Sequence, residues 1–122
     1  MKTILVVDDD ELTLKMAYFT LKRNEHYNIV MANSGMQAYD LLQVNCVDLL
    51  LLDIEMPVLN GYKTLEMIRK NEQFAKIPVI FLTAVSDTKS ILDAAFMGAS
   101  DYVKKPFLPE DLMNRVKKVL GE

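Results

Sequence analysis

Five short apolar runs with no polar alternation constrain this chain more than any other feature. They cover residues 4–7, 29–32, 47–52, 79–82 and, more weakly because Ser100 and Asp101 interrupt it, 99–103. A strand with one wet face alternates apolar and polar residues, so an unbroken run marks a strand buried on both faces. Between the runs the apolar period lengthens to that of a helix. Residues 11–23 carry Leu14, Ala17 and Leu21, a stripe widened by Leu12, Met16 and Phe19. Residues 36–44 turn Ala38, Leu41 and Leu42 inward, residues 62–71 Leu65 and Ile68, and residues 87–97 Ile91, Leu92 and Ala95. The last segment opens at Pro109, tolerated as a first helical residue, and carries Leu112, Val116 and Leu120. Asp10 and Ser34 stand where they can cap the first two helices, and Gly98 where the fourth stops. Strand then helix, five times over, predicts an α/β fold: a doubly wound five-stranded parallel sheet with helices on both faces.

The 122 residues suffice for a single domain, 1–122, with its own core. A net charge of −3, from 14 basic and 17 acidic residues, lacks the basic surplus of a phosphate-binding surface, so no direct nucleic-acid partner is expected. No stretch approaches the roughly 18 apolar residues of a membrane span, and no apolar leader follows Met1. The single cysteine, Cys46, cannot form an internal disulfide. A cytoplasmic protein is expected, with no membrane partner and, since the chain opens on its first strand and closes after its last helix, no output segment.

Ligands of open parallel sheets sit beyond the carboxyl ends of the strands. Four of the runs lead there into reactive residues: Asp8, Asp9 and Asp10; Asp53; Thr83; and Lys104 with Lys105. Asp8, Asp9 and Asp53 brought together repel by about 4 kcal/mol per close pair at an effective dielectric near 20. A bound cation, or retained protons, makes that tolerable, and hard carboxylate oxygens suit Mg2+. Lys105 can pair with the carboxylates, Thr83 offers a hydroxyl, and Ala84 offers a backbone amide with little steric cover. Asp10 reads better as a helix cap, and Lys104 as a solvated neighbour, since successive strand residues point to opposite faces.

The stretches Ile4–Asp9, Leu51-Leu52-Asp53-Ile54-Glu55-Met56-Pro57 with Asn60-Gly61, Phe81-Leu82-Thr83-Ala84, Gly98-Ala99-Ser100-Asp101-Tyr102 and Lys105-Pro106-Phe107 resemble, in this order, the receiver domain of two-component response regulators. Single-domain chemotaxis regulators are the nearest in size. The resemblance implies a flavodoxin-like sheet of strand order 2-1-3-4-5 and Asp53 as phosphoacceptor. The donor would be the phosphohistidine of a sensor histidine kinase or phosphotransfer protein. Asp9, Asp53 and the Glu55 backbone carbonyl would ligate Mg2+, with Asp8 acting mainly through a water. Lys105, Thr83 and the Ala84 amide would share the phosphoryl oxygens, and Tyr102 would be the switch aromatic. The Lys105-Pro106 bond becomes a candidate for the cis form, aiming the lysine at the site. A downstream target would read the fourth helix, fifth strand and fifth helix, in a monomer or a phosphorylation-dependent dimer. Such a domain is a signalling device, not an enzyme; it catalyses only its own phosphorylation and autodephosphorylation.

Departures from the pattern carry expectations too. Glu55 occupies a variable position that modulates loss of the phosphoryl group, as does Val85. Leu108 stands where many relatives place a polar cap, forfeiting about 1 kcal/mol. Ser100 replaces a frequent acidic residue, weakening the case for charge-paired dimers, although Arg115 matches a basic position there. Phe96 and Met97 could contribute an apolar docking patch beside Tyr102. His26 reads as a surface residue, Cys46 as small packing, and Met16, Met67, Met97 and Met113 as core filler or exposed edge. Two rivals stand beside this reading. One is a receiver belonging to a larger regulator with a separate output domain. The other is an aspartate-nucleophile phosphohydrolase using Asp8, although Leu12 stands where those enzymes have threonine and Asp53 would be idle. A flavodoxin-like cofactor binder is disfavoured because the loop after the first strand is acidic.

Overall fold

The computed structural model describes residues 1–84 and 88–122. Strands β1 (Lys2–Val7), β2 (Tyr27–Ala32), β3 (Leu49–Asp53), β4 (Val79–Thr83) and β5 (Asp101–Lys104) alternate with helices α1 (Glu11–Leu21), α2 (Gly35–Val44), α3 (Gly61–Arg69), α4 (Thr88–Phe96) and α5 (Pro109–Leu120). A single 3-10 turn, Glu72–Phe74, precedes β4. All pairings are parallel and the order is β2-β1-β3-β4-β5, as expected from the resemblance.

Two apolar layers flank the sheet. Leu5, Val7, Leu50, Leu52 and Phe81 pack with Ala38 and Leu42 of α2, Leu65 and Ile68 of α3 and Ala94 of α4. Ile4, Val6, Leu49, Leu51, Ile80 and Leu82 pack on the opposite face with Leu14, Ala17 and Leu21 of α1 and Leu112 and Val116 of α5. Every residue of β3 and of β4 is buried. That accounts for their unbroken apolar runs, since each face must supply a core.

Several expectations are corrected. β2 begins at Tyr27, because Tyr27 and Asn28 pair with Lys2 and Thr3. β3 excludes Val47 and Asp48; Asp48 instead clamps Thr3, accepting from its amide at 2.8 Å and donating its own to the Thr3 carbonyl at 2.8 Å. β5 excludes Ala99 and Ser100, where the chain turns through Gly98 at φ 80° and the Ala99 amide returns to the Ala94 carbonyl.

Leu12, Met16 and Phe19 do not widen the buried stripe of α1 but are exposed, Phe19 by 69%. At 100° per residue they fall opposite Leu14, Ala17 and Leu21, which already fill the space against the sheet. On α4 the inward residue is Ala94, with Ile91 half-buried, while Leu92 and Ala95 are exposed. The expected helix start at Asp87 lies outside the described residues, as does Val85. Cys46 is exposed rather than packed. His26 is exposed, as expected.

Ser34 caps α2 by accepting from the Gln37 amide. Asp10 occupies the N-cap position of α1 without a side-chain bond to a backbone amide; its carboxylate takes the Thr13 hydroxyl at 2.6 Å instead. Leu108 leaves α5 uncapped by a side chain.

Candidate functional site

The sheet delivers four side chains to one edge because four of its strands stop within a residue or two of each other. Asp8 follows the last residue of β1, Asp53 ends β3, Thr83 ends β4 and Lys105 follows β5. The pairing register puts Asp53 beside Leu82 and Thr83 beside Lys104, and the Lys105 amide donates to the Thr83 carbonyl at 2.7 Å. The Lys105-Pro106 bond is cis.

The ammonium of Lys105 lies 2.6 Å from Asp8 Oδ2 and 3.0 Å from Asp53 Oδ1. Asp8, Asp53 and Thr83 are buried, whereas Asp9 is exposed. Backbone amides hold both buried carboxylates from the loop side: Asp10 donates to Asp8 Oδ1 at 2.9 Å and Glu55 to Asp53 Oδ1 at 3.3 Å. The Glu55 side chain is exposed at the mouth of the site. Lys104 points to solvent, and Asp10 is occupied with Thr13.

Charge and burial work against each other at Asp53. Burial pushes its carboxyl up, the Lys105 hydrogen bond pulls it down, and the Asp8 charge raises it again, leaving it at about 7. Burial alone would lower the Lys105 ammonium, but hydrogen bonds to Asp8 and Asp53 outweigh it and raise the group.

One lysine offsets only part of three carboxylates. Asp8, Asp9 and Asp53 each place an oxygen within 4.8 Å of the others', and Asp8 Oδ2 and Asp53 Oδ1 share the single ammonium of Lys105. Three clustered carboxylates, two of them buried and sharing one ammonium, are the donor set of a hard divalent cation. The residues present therefore fit Mg2+.

Gly61 is a part of this site whose role was not legible beforehand. A Cβ at Gly61 would lie 2.3 Å from the Asp53 carbonyl oxygen and 2.7 Å from Ile54 Cα, and the Gly61 amide donates to the Ile54 carbonyl at 2.8 Å. Helix α3 thus starts against the backbone of Asp53, an approach only glycine allows. Asn60-Gly61 was visible as a motif; its contact needed the fold. Within the intervening loop Val58 adopts φ 68°, and the Leu59 amide closes back on the Pro57 carbonyl at 2.7 Å. Tyr102 is half-buried against the layer that contains Phe81 and Ala94.

Residues 4–117 match the model of the response regulator receiver domain. The chain is 41% identical over 121 residues to the transcriptional regulatory protein CpxR of Escherichia coli, covering 98% of this chain and 50% of that protein. It is 36% identical over 116 residues to the probable transcriptional regulator ycf29 of Porphyra purpurea, covering 95% of this chain and 56% of that protein. The chain spans about half the length of the curated relatives it matches. Among solved structures it is similar to the chemotaxis protein CheY4 of Vibrio cholerae, with a TM-score of 0.91, 28% identity and 98% of each chain covered. The receiver domain of Francisella response regulator 1452 gives a TM-score of 0.89 at 30% identity, covering 99% of this chain and 98% of that one.

Proposed function

The chain belongs to the response regulator receiver domain family, and from that premise we propose that Asp53 is the residue that accepts the phosphoryl group. A receiver domain is a signalling device in phosphorelay transduction rather than a classical enzyme, and its donors are histidine kinases or phosphotransfer proteins. In this chain an Asp53 carboxylate oxygen attacks the phosphorus of a donor phosphohistidine. The P–N bond breaks, the imidazole departs with its electron pair, and an acyl phosphate is left on Asp53. Such a transfer depends on position and charge neutralisation more than on covalent help. Residues 1–122 form one receiver domain, which catalyses this reaction on itself and the later hydrolysis of the acyl phosphate, in which water attacks phosphorus, the P–O bond to Asp53 breaks and inorganic phosphate leaves.

The observation that carries the assignment is the single ammonium of Lys105 held between Asp8 and Asp53. It screens the acceptor before transfer and can follow a phosphoryl oxygen after it. Asp8, Asp9, Asp53 and the Glu55 carbonyl would hold Mg2+, which supplies neutralisation of the phosphoryl charge. Thr83 and the Ala84 amide take further phosphoryl oxygens, and Tyr102 responds to the movement of Thr83. A downstream partner then reads α4, β5 and α5, where Phe96 is 88% exposed. Arg115 on this face is engaged by Asp101 at 2.7 Å and Asp111 at 3.0 Å, which favours a monomer over a dimer paired through that charge. Among the described residues no helix is long and apolar enough to cross a membrane, and a cytoplasmic location goes with this reading.

The span of the curated relatives favours one further reading, a receiver that works joined to a separate output domain. Incubation with Mg2+ and acetyl phosphate, followed by borohydride trapping and peptide mapping, tests the acceptor. Label at Asp53 that disappears in Asp53→Asn is expected. Label at Asp8, or turnover of a phosphate ester by Asp53→Asn, would instead make Asp8 the nucleophile of a phosphohydrolase.

A further inference from the structure

Resting on the receiver reading, we infer that Tyr62, on the first turn of α3, is a positioning residue that fixes the wall against which Tyr102 moves. Three placements carry this. Gly61 seats the start of α3 on the Asp53 backbone, with its amide bonded to the Ile54 carbonyl, so the next residue is tied to the acceptor. The Tyr62 ring then reaches the sheet and meets Phe81 edge-on, centroids 5.4 Å apart and planes at 72°. Phe81 is in turn the register partner of Tyr102 on the neighbouring parallel strand, so both side chains stand on the same sheet face. There Tyr62, Tyr102 and Met97 all pack on the cluster containing Phe81 and Ala94.

The arrangement is a row of three rings from α3 to β5, with the middle one fully buried. An edge-on contact at this distance resists rotation of the Phe81 ring. A Tyr102 side chain turning inward therefore meets a fixed surface. Without the Tyr62 ring Phe81 gains room to turn, both positions of Tyr102 lie against a yielding wall, and the difference between them shrinks. The acceptor would then reach the α4–β5 face by two connections: through Thr83 along β4, and through Gly61 and Tyr62 along α3.

The test uses the full chain with the Tyr102 ring resonances recorded by NMR before and after treatment with Mg2+ and acetyl phosphate. Labelling of Asp53 is measured in parallel to normalise the response. In Tyr62→Leu, Asp53 is labelled as in the wild type while the Tyr102 response per labelled molecule falls at least threefold; Tyr62→Phe restores it. Tyr62→Met, which keeps bulk without a ring, replaces the leucine variant if that does not fold. A wild-type Tyr102 response in a labelled, ringless variant overturns the inference, as does failure of Tyr62→Phe to restore it. An unlabelled wild-type Asp53 overturns the receiver reading, and this inference with it.

Discussion

The carboxylate edge of the sheet and the outer face of α4 break the same rule in opposite directions. At the edge, Asp8, Asp53 and Thr83 are polar and buried; on α4, Leu92 and Phe96 are apolar and exposed. Scattered exposed apolar residues are ordinary, but buried carboxylates are not, unless paired or bound to a cation. The buried group thus carries an energetic cost that the fold tolerates for chemistry. The exposed group costs little in the free protein and becomes valuable when something covers it. Substitutions at the two places should therefore report on different quantities, stability at one and association at the other.

The largest effect is expected at Lys105. Lys105→Met removes the only cation paired with Asp8 and Asp53 among the described residues, leaving two buried carboxylates facing each other. Metal-free protein should lose about 3 kcal/mol in denaturant unfolding, and Mg2+ should restore part of it. The variant should still accept phosphate from acetyl phosphate but fail to change its partner binding normally. An unchanged unfolding midpoint without metal would mean that the two regions do not differ as described.

Next comes Asp53 itself. Its folded-state carboxyl sits at about 7 against an ordinary 3.8. The native state therefore keeps a proton that the unfolded chain has already released. Stability from this group is lost as pH rises from about 4 through about 7. Metal-free Asp53→Asn should exceed the wild type at pH 8 by on the order of 2 kcal/mol, and the gap should close towards pH 4. Paired melts across that range would show it, and a gap independent of pH would remove burial as the cause.

A smaller gain follows from the cation. Mg2+ at ten times its dissociation constant should stabilise the wild type by about 1.4 kcal/mol, from mass action alone. Asp8→Asn should abolish most of that gain, measured as the shift of the melting midpoint with added MgCl2.

The least effect on stability belongs to α4. Phe96→Ser should change unfolding by no more than about 0.5 kcal/mol, while weakening capture of the downstream partner. A destabilisation of 2 kcal/mol would show that Phe96 is held by the fold after all.

The strands were legible because burial on both faces leaves no room for polar residues in β3 and β4, and the site was legible because its members end those strands. Helix orientation was less so. Leu12, Met16 and Phe19 have the same chemistry as Leu14 and Leu21, and which stripe turns inward depends on how α1 docks, a tertiary choice absent from local pattern. The same ambiguity misplaced Leu92 and Ala95. Strand limits also depended on partners: Asp48 looks like strand until Thr3 claims it as a clamp. Asp10 was expected to bond backbone amides, but the Thr13 hydroxyl, three residues on, lies closer. The seat of Gly61 on Asp53 could not be read at all, since it joins two backbone segments whose approach only the folded sheet defines.

The strand order also dictates when, during synthesis, Asp53 gains its ammonium partner. Strands β1, β2 and β3 can assemble once residue 53 has cleared the ribosome, and β4 and β5 then add outward in sequence. Asp53 therefore emerges some fifty residues before Lys105, and domains tend to fold as units once their chain is available. A nascent chain holding Asp8 and Asp53 without Lys105 lacks the ammonium that pairs with both carboxylates in the finished sheet. The Lys105 ammonium can therefore pair with Asp8 and Asp53 only after β5, the edge strand, has been added to the sheet.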